Sequence, residues 1–433
     1  MNRPRIAFLH GGGPAPGSAW TAEGAALCAE KHGAIVEMVP FGFRELRKGA
    51  YPDGTRVLAL DWVKEQKMRG GTLLPTHRAS AVEDSHAEAV VRALQAQGIH
   101  FLIAVGGDDT GSSAAAVSRA AARLGYELHV VHLPKTIDGD LWHRRGLKTF
   151  GLDTAAEEYA RVLKGLGGEM VSNPDRAFLL ESMGRDAGIL GVCAARKAMA
   201  LGAKPLLTLI PEMFPDKIPL GVIRDIIAGA LIKNFARTDT CGVVFYSEAL
   251  PLICTEASVC ELIAGVPLDE HRHPKLSEVP FARTMAGLLR KQFAEIGFLN
   301  LSGKPVDVTP VEDGYGPMRC GDPNEFDQAY TLAIGAAAVE QVLRGEGAGS
   351  VWYDANGQVE FVPFAESVDP ETKRMRTRQA NWDDYQPLIA GGVPWFTAVD
   401  LNDAEIRAKT SLSQYQFSVM FAGAAAALAG CSP

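Results

Sequence analysis

Residues 101–140 read FLIAVGGDDTGSSAAAVSRAAARLGYELHVVHLPKTIDGD, and they decide the fold. Phe101 to Val105 is a short apolar run, the pattern of a strand buried on both faces. Gly106-Gly107-Asp108-Asp109-Thr110-Gly111 breaks that strand as a turn. Ala115, Val117, Ala120, Ala121 and Leu124 then fall at helical spacing, so a helix is predicted over Ser112 to Leu124, stopped by Gly125. Leu128 to Leu133 is the next strand. Pro134 is expected to end it, with Lys135-Thr136-Ile137-Asp138-Gly139-Asp140 following as an acidic turn.

A right-handed helical crossover puts the loops after both strands at one edge of a parallel sheet. Ligands of open α/β sheets sit outside that edge. Asp108, Asp109, Lys135, Asp138 and Asp140 are therefore expected to converge. Glycine-rich backbone before a helix N-terminus suits phosphate. Carboxylates there repel phosphate unless they hold Mg²⁺ or take a proton. Phosphoryl transfer needs both, plus a cation on the moving group. GGDDT alone reads equally well as an ordinary acidic turn. The second such loop on the adjacent strand favours the phosphate site.

Upstream, Arg5 to Leu9 is a strand followed by His10-Gly11-Gly12-Gly13-Pro14-Ala15-Pro16-Gly17, a rigid loop. A helix over Ala19 to Lys31 and a strand over Ala34 to Val39 complete a nucleotide-domain opening. The GxGxxG spacing is missing, which argues against NAD. In the 69–78 stretch, Gly70-Gly71-Thr72 and Arg78 offer an oxyanion site, although alone it reads as a solvated basic turn. Asp84 to Gln97 is helical.

Downstream, helices are predicted over Ala155–Leu166, Ile189–Leu201, Val222–Lys233, Phe281–Gly297 and Glu325–Arg344. Strands are predicted over Ala177–Leu180, Leu206–Ile210 and Cys241–Ser247. Ser350–Tyr353 and Val359–Val362 form a hairpin on Asn356-Gly357. Glu256 to Pro280 reads as a surface excursion, and Gly314 to Pro323 as a glycine- and proline-rich loop. The expected fold is α/β: two Rossmann-like doubly wound lobes with a cleft between them, plus a C-terminal extension. The lobes are expected at 1–150, with a return segment about 319–368, and at 151–318. The extension, 369–433, is polar and then helical over Ser413 to Leu428; the sequence assigns it no chemistry.

The 433 residues allow a large core, and the 45 glycines fit tight turns between strand and helix. A net charge of −8 argues against nucleic acid as a partner. Small anions are handled by local Arg and Lys. The seven cysteines, at 28, 193, 241, 254, 260, 320 and 431, lack metal-type spacing and read as reduced cytosolic thiols. The chain runs straight from Met1 into a strand, so no signal peptide is expected. No apolar run is long enough to span a membrane.

Seven pieces in order carry a resemblance: GGGPAPG (11–17), GGT with Arg78, GGDDT (106–110), PKTIDGD (134–140), ESMGRDAG (181–188), LIPE (209–212) and GYGPMRCGDP (314–323). PKTIDGD together with MGR is the specific part. The chain resembles the phosphofructokinases, in particular the pyrophosphate-dependent type. The resemblance implies a Mg²⁺-dependent, reversible transfer from pyrophosphate to fructose 6-phosphate in glycolysis. It makes the first lobe the donor lobe and the second the sugar-phosphate lobe.

By the same resemblance, Asp138 is the base for the sugar 1-hydroxyl and Asp108 holds Mg²⁺. Asp140 and Thr136 contact sugar or the transferred group, and Arg185 stabilises that group. Met183, Gly184 and Glu212 shape the sugar pocket. Arg319 and Arg176 grip the sugar 6-phosphate, Arg176 from a neighbouring subunit, which implies a homo-oligomer, dimer or tetramer. Gly12 and Arg78 sit on the donor.

ATP-dependent members usually carry Gly in place of Asp109, and often in place of Lys135. A carboxylate at Asp109 projects where ATP continues past its second phosphate and repels it; Lys135 neutralises the small leaving phosphate instead. Two positions depart from the family pattern. Ala19 stands where Asn is common, and Gly316 stands where His or Tyr precedes the arginine, with Tyr315 one step off. These bear on the sugar, so sedoheptulose 7-phosphate stays open as acceptor and ATP as donor. An NAD-kinase-like or lipid-kinase-like enzyme shares the GGDG-type loop but leaves PKTIDGD unexplained. A non-catalytic sugar-phosphate binder has no use for Asp138 with Lys135.

Overall fold

Strands β1 (Arg5–His10), β2 (Ile35–Val39), β4 (Phe101–Gly106) and β5 (His129–Thr136) pair in parallel in the order β5-β4-β1-β2. Two flanking strands extend that sheet: β3 (Arg56–Val57), antiparallel to β2, and β11 (Gly349–Tyr353), parallel to β5. Beyond β11 lies β12 (Val359–Pro363), antiparallel to it, and β6 (Phe150–Gly151) pairs with the end of β5. These come from a computed structural model that describes residues 3–67, 70–255, 279–312, 315–390 and 395–429. The surface excursion expected over Glu256 to Pro280 lies almost wholly outside the described residues, as do position 314 and the cysteines at 260 and 431.

Alternation along the strands explains why they read as unbroken apolar runs. Ile6, Phe8, Ile103, Val105, Val131 and Leu133 face one layer, while Ala7, Leu9, Leu102, Ala104 and Val130 face the other. Both faces are covered, so the middle of the sheet is mostly apolar. On the first face lie the helices Ser18–Lys31 and Glu325–Leu343. They approach closely at two glycines: a Cβ at Gly24 would lie 2.2 Å from the Leu332 carbonyl oxygen, and one at Gly335 would lie 2.2 Å from that of Thr21. Helices Asp84–Ala96 and Asp108–Arg123 cover the second face.

The second sheet is all parallel, ordered β10-β7-β9-β8, from β7 (Arg176–Ser182), β8 (Leu207–Leu209), β9 (Gly242–Ser247) and β10 (Asp307–Val311). The helices Ile189–Ala200, Leu220–Thr238 and Phe281–Ile296 belong to it. Strand β10 was not among the sequence expectations, because DVTPV carries a proline and only one fully buried residue.

The described residues divide into two compact units. One runs up to Ala155 and takes back Tyr315–Arg378; the other takes Ala156 to position 312 and the residues from Gln379 onward. The segment from 369, expected as a separate extension, is thus shared between units. Its first ten residues bond to the first unit, where the Met375 N–H donates to Ser112 Oγ at 2.8 Å and the Arg378 N–H to the Asp140 carbonyl at 2.7 Å. The remainder joins the second unit through Phe396, Phe417 and Phe421, packed edge-on or tilted with ring centroids 4.9–6.1 Å apart, beside the Leu220–Thr238 helix. Burying each such ring is worth about 1.5–3 kcal/mol, enough to hold the terminal helix Gln414–Ala429 down.

Candidate active site

Two expectations about the central loops are corrected. Asp108 and Asp109 do not lie in a turn; they form the first turn of the helix Asp108–Arg123, with Gly107 extended at its N-cap. Acidic side chains there complement the positive end of the helix dipole. Strand β5 also does not stop at Pro134 but runs on to Thr136. Pro134 faces Gly106 at the last rung of β4, so its missing N–H falls where that ladder ends. Lys135 and Thr136 then pair with Phe150 and Gly151 of β6. Lys135 is therefore anchored on a strand end, not on a loop. The expected 314–323 loop contains a short helix, Gly316–Cys320, started by Pro317.

Lys135 is the centre of the first unit's site. It is 4% exposed, and its ammonium donates to the Gly13 carbonyl. Burial, then the positive charge of Arg319, lowers its pKa to about 7, while Asp138 and Asp108 act in the opposite sense and Arg78 lowers it further. Arg319, Arg78, Asp138 and Asp108 are thus each within electrostatic reach of Lys135. Arg78 is exposed and is delivered by its neighbour His77. The His77 carbonyl accepts from the Gly12 N–H at 3.0 Å. The Arg319 guanidinium stands against Gly13, where a Cβ would come within 2.2 Å of Nη2. Tyr315, 60% exposed, lies with its ring centroid 5.0 Å from that guanidinium.

The turn after β5 is tied internally, with the Asp138 N–H donating to Thr136 Oγ1 at 3.0 Å. Asp140 is buried, and Asp138 is half-buried. Two buried histidines beside this site, His10 and His132, are held neutral by burial, their pKa values lowered to about 3 and about 4. His132 bonds Ser350 Oγ and the Gly106 carbonyl, a packing role.

In the second unit, Met183, Gly184 and Arg185 follow β7. The Met183 N–H donates to Tyr159 Oη at 3.0 Å and the Gly184 N–H to Glu248 Oε1 at 2.9 Å. Gly184 has φ +125°, a conformation that favours glycine. Glu212 Oε1 accepts from the N–H groups of Gly188 and Ala380, at 2.8 and 3.0 Å. Its Oε2 is buried with no partner among the described residues, and burial raises the carboxyl pKa. Arg176 begins β7, at the end opposite to Met183–Arg185. Seven strand residues separate the two ends, roughly 20 Å along the chain.

Sequence reasoning missed Arg374, Arg378, Glu248 and Tyr159, which brace these loops. Arg374 Nη1 lies 3.1 Å from Asp109 Oδ1, and Arg378 Nε donates to the Gly139 carbonyl at 3.0 Å. More than two hundred residues separate each arginine from its partner, so no local pattern announces them.

Glycine loops around a buried lysine, with carboxylates on a helix start and an adjacent strand end, are the parts of a phosphotransferase. The chain belongs to the phosphofructokinase family, whose profile it matches over residues 5–342. It is 30% identical over 392 residues to the pyrophosphate–fructose 6-phosphate 1-phosphotransferase of Thermotoga maritima, covering 88% of each chain. It is 32% identical over 394 residues to the enzyme of that name from Naegleria fowleri, covering 88% of this chain and 85% of that one. Its fold is similar to that of a pyrophosphate-dependent phosphofructokinase from Marinobacter aquaeolei, with a TM-score of 0.63 at 18% identity, covering 89% and 91% of the two chains. No helix among the described residues is long and apolar enough to cross a membrane.

Proposed function

We propose that this chain transfers a phosphoryl group reversibly from pyrophosphate to the 1-hydroxyl of fructose 6-phosphate, as part of glycolysis. The carrying observation is the buried Lys135, whose ammonium feels the charges of Asp138 and Asp108 and those of Arg319 and Arg78. Asp138 takes the proton as the sugar oxygen attacks phosphorus, and the bond to the leaving orthophosphate breaks. Lys135 neutralises that leaving group, which a lysine depressed to about 7 does once anions raise it back. Thr136, which positions the Asp138 backbone, contacts the moving group, and Arg185 stabilises its charge. Gly12 and Arg78 bind the donor, and Asp109 excludes the continuation of ATP.

Asp140, Met183, Gly184, Tyr315 and Arg319 bind the sugar phosphate. Glu212 accepts from a sugar hydroxyl through Oε2, a buried carboxylate oxygen with no partner among the described residues. The oxygen donors fit a hard divalent cation. Asp108 would hold Mg²⁺, which supplies charge neutralisation on the phosphates when bound. Arg176 serves the 6-phosphate of a neighbouring copy in a homo-oligomer. Cys28, Cys241, Cys254 and Cys320 are free thiols, in keeping with a cytoplasmic protein.

The test is formation of fructose 1,6-bisphosphate from fructose 6-phosphate and Mg²⁺ with either pyrophosphate or ATP. Pyrophosphate should support turnover and ATP little or none. Asp109→Gly should raise the ATP-to-pyrophosphate ratio. A wild type that prefers ATP overturns the donor assignment. No bisphosphate with either donor overturns the reaction.

A further inference from the structure

The segment from Ser367 to Arg378 forms a strap across the start of the Asp108–Arg123 helix and the turn after β5. Val368 and Met375 pair antiparallel, the Arg376 N–H donates to the Ser367 carbonyl at 2.8 Å, and the Asp369 carboxylate closes the turn on the N–H groups of Glu371 and Thr372. Met375 is buried and locks the strap onto the start of the Asp108–Arg123 helix. Its N–H bonds Ser112 Oγ at 2.8 Å, and a Cβ on Gly111 would lie 2.8 Å from its Cγ. Farther along, Leu141 and Thr377 pair, the Trp142 N–H donates to the Arg376 carbonyl at 3.1 Å, and Arg378 bonds both Gly139 and Asp140. One short segment thus grips the helix carrying Asp108 and Asp109 and the turn carrying Asp138.

Locking Met375 fixes where its neighbour goes. Arg374 lies beside Asp109, with Nη1 3.1 Å from Oδ1, the two side chains 51% and 31% exposed. As a stabilising contact such an exposed pair is worth little. Its electrostatic consequence is larger. Asp109 is a carboxylate on the helix start that faces the donor phosphates in the proposed reaction, and an uncompensated carboxylate there repels any polyphosphate. A guanidinium locked beside it cancels that charge and leaves the bulk of the side chain in place.

We propose that Arg374 is a specificity-determining residue: it neutralises Asp109, so that this side chain excludes a longer donor by volume without repelling a short one by charge. The proposal rests on the assignment of Asp109 to the donor side of the site. It makes Arg374 a positioning and compensating group that acts through Asp109, not a ligand of the phosphates. Asp109 and Arg374 therefore act as one unit, supplied by sequence positions 265 residues apart.

The test is a double-mutant cycle. Michaelis constants for pyrophosphate, ATP and fructose 6-phosphate are measured with Mg²⁺ in wild type, Arg374→Gln, Arg374→Lys, Asp109→Asn and Asp109→Asn with Arg374→Gln. Arg374→Gln should raise the Michaelis constant for pyrophosphate about tenfold, with kcat within about twofold and the sugar constant unchanged. Arg374→Lys should recover most of the loss, which a merely structural role would not produce. In the Asp109→Asn background, Arg374→Gln should change the donor constant by less than about twofold, because no charge remains to compensate. Calorimetric titration with magnesium pyrophosphate runs the same cycle without turnover, so a slow variant still reports.

An unchanged donor constant in Arg374→Gln overturns the proposal. So does an equal rise in both backgrounds, which would make Arg374 a direct ligand. A wild type that uses ATP sinks the pyrophosphate assignment separately, and the coupling between Arg374 and Asp109 is then read with ATP.

Discussion

Lys135 has its pKa lowered to about 7 by burial, followed by the charge of Arg319. The sign of its linkage follows from that direction. The folded value lies below the unfolded one near 10.5, so the native state pays its full penalty below pH 7, and the penalty fades as pH rises towards 10.5. Bound phosphate pulls the value back up. At about pH 8 the free lysine is mostly neutral, so donor binding should take up a proton, approaching one per site, whereas at about pH 6 it should take up almost none. Calorimetry in buffers of different ionisation enthalpy measures this. The difference between wild type and Lys135→Met removes the ligand's own protonation. Equal uptake in both proteins would remove Lys135 from the donor site.

At the scale of elements, Asp327 joins two helices. It is fully buried, accepting from the N–H groups of Gly151 and Thr154 at 3.0 and 2.9 Å and from Thr154 Oγ1 at 2.6 Å. Asn324 caps the same helix by accepting from the Asp327 N–H at 3.0 Å. The Glu325–Leu343 helix is thereby fastened to the start of the Leu152–Ser172 helix. Asp327→Asn turns an amide donor towards groups that are themselves donors. It should cost about 1–3 kcal/mol in denaturant unfolding, with the fold retained. A loss below about 0.5 kcal/mol would mean that the cluster rearranges freely.

For the whole molecule, β7 carries Arg176 at its first residue and delivers Met183, Gly184 and Arg185 after its last, at opposite ends of one strand. Under the proposed function Arg176 serves the site of a neighbouring copy. Arg176→Ala and Asp138→Asn should each be nearly inactive as homo-oligomers. Mixed and reassembled, they should recover up to about a quarter of wild-type activity, because some sites then receive Arg176 from one copy and Asp138 from the other. No recovery from a mixture shown to contain hybrid oligomers would place Arg176 outside the site.

The sequence by itself determined the parallel α/β layering, because strands buried on both faces need apolar runs such as 101–105. It also determined the meeting of Asp108, Lys135 and Asp138, because strand direction and crossover handedness leave one edge for loops that follow adjacent strands. Hairpin β11–β12 was legible from Asn356-Gly357, where Gly357 has φ +77°. The exact ends of elements were not. Asp108 and Asp109 enter the helix because its dipole accepts them, and β5 passes Pro134 because β4 has ended there. Only the tertiary structure decided what braces the loops of each unit. Arg374 on Asp109, Arg378 on Gly139, Glu248 on Gly184 and Glu212 on Ala380 are contacts between segments distant in sequence, the first two on the segment that the packing of Met375 holds down. Periodicity registers a face to be covered; it carries no record of which distant residue covers it.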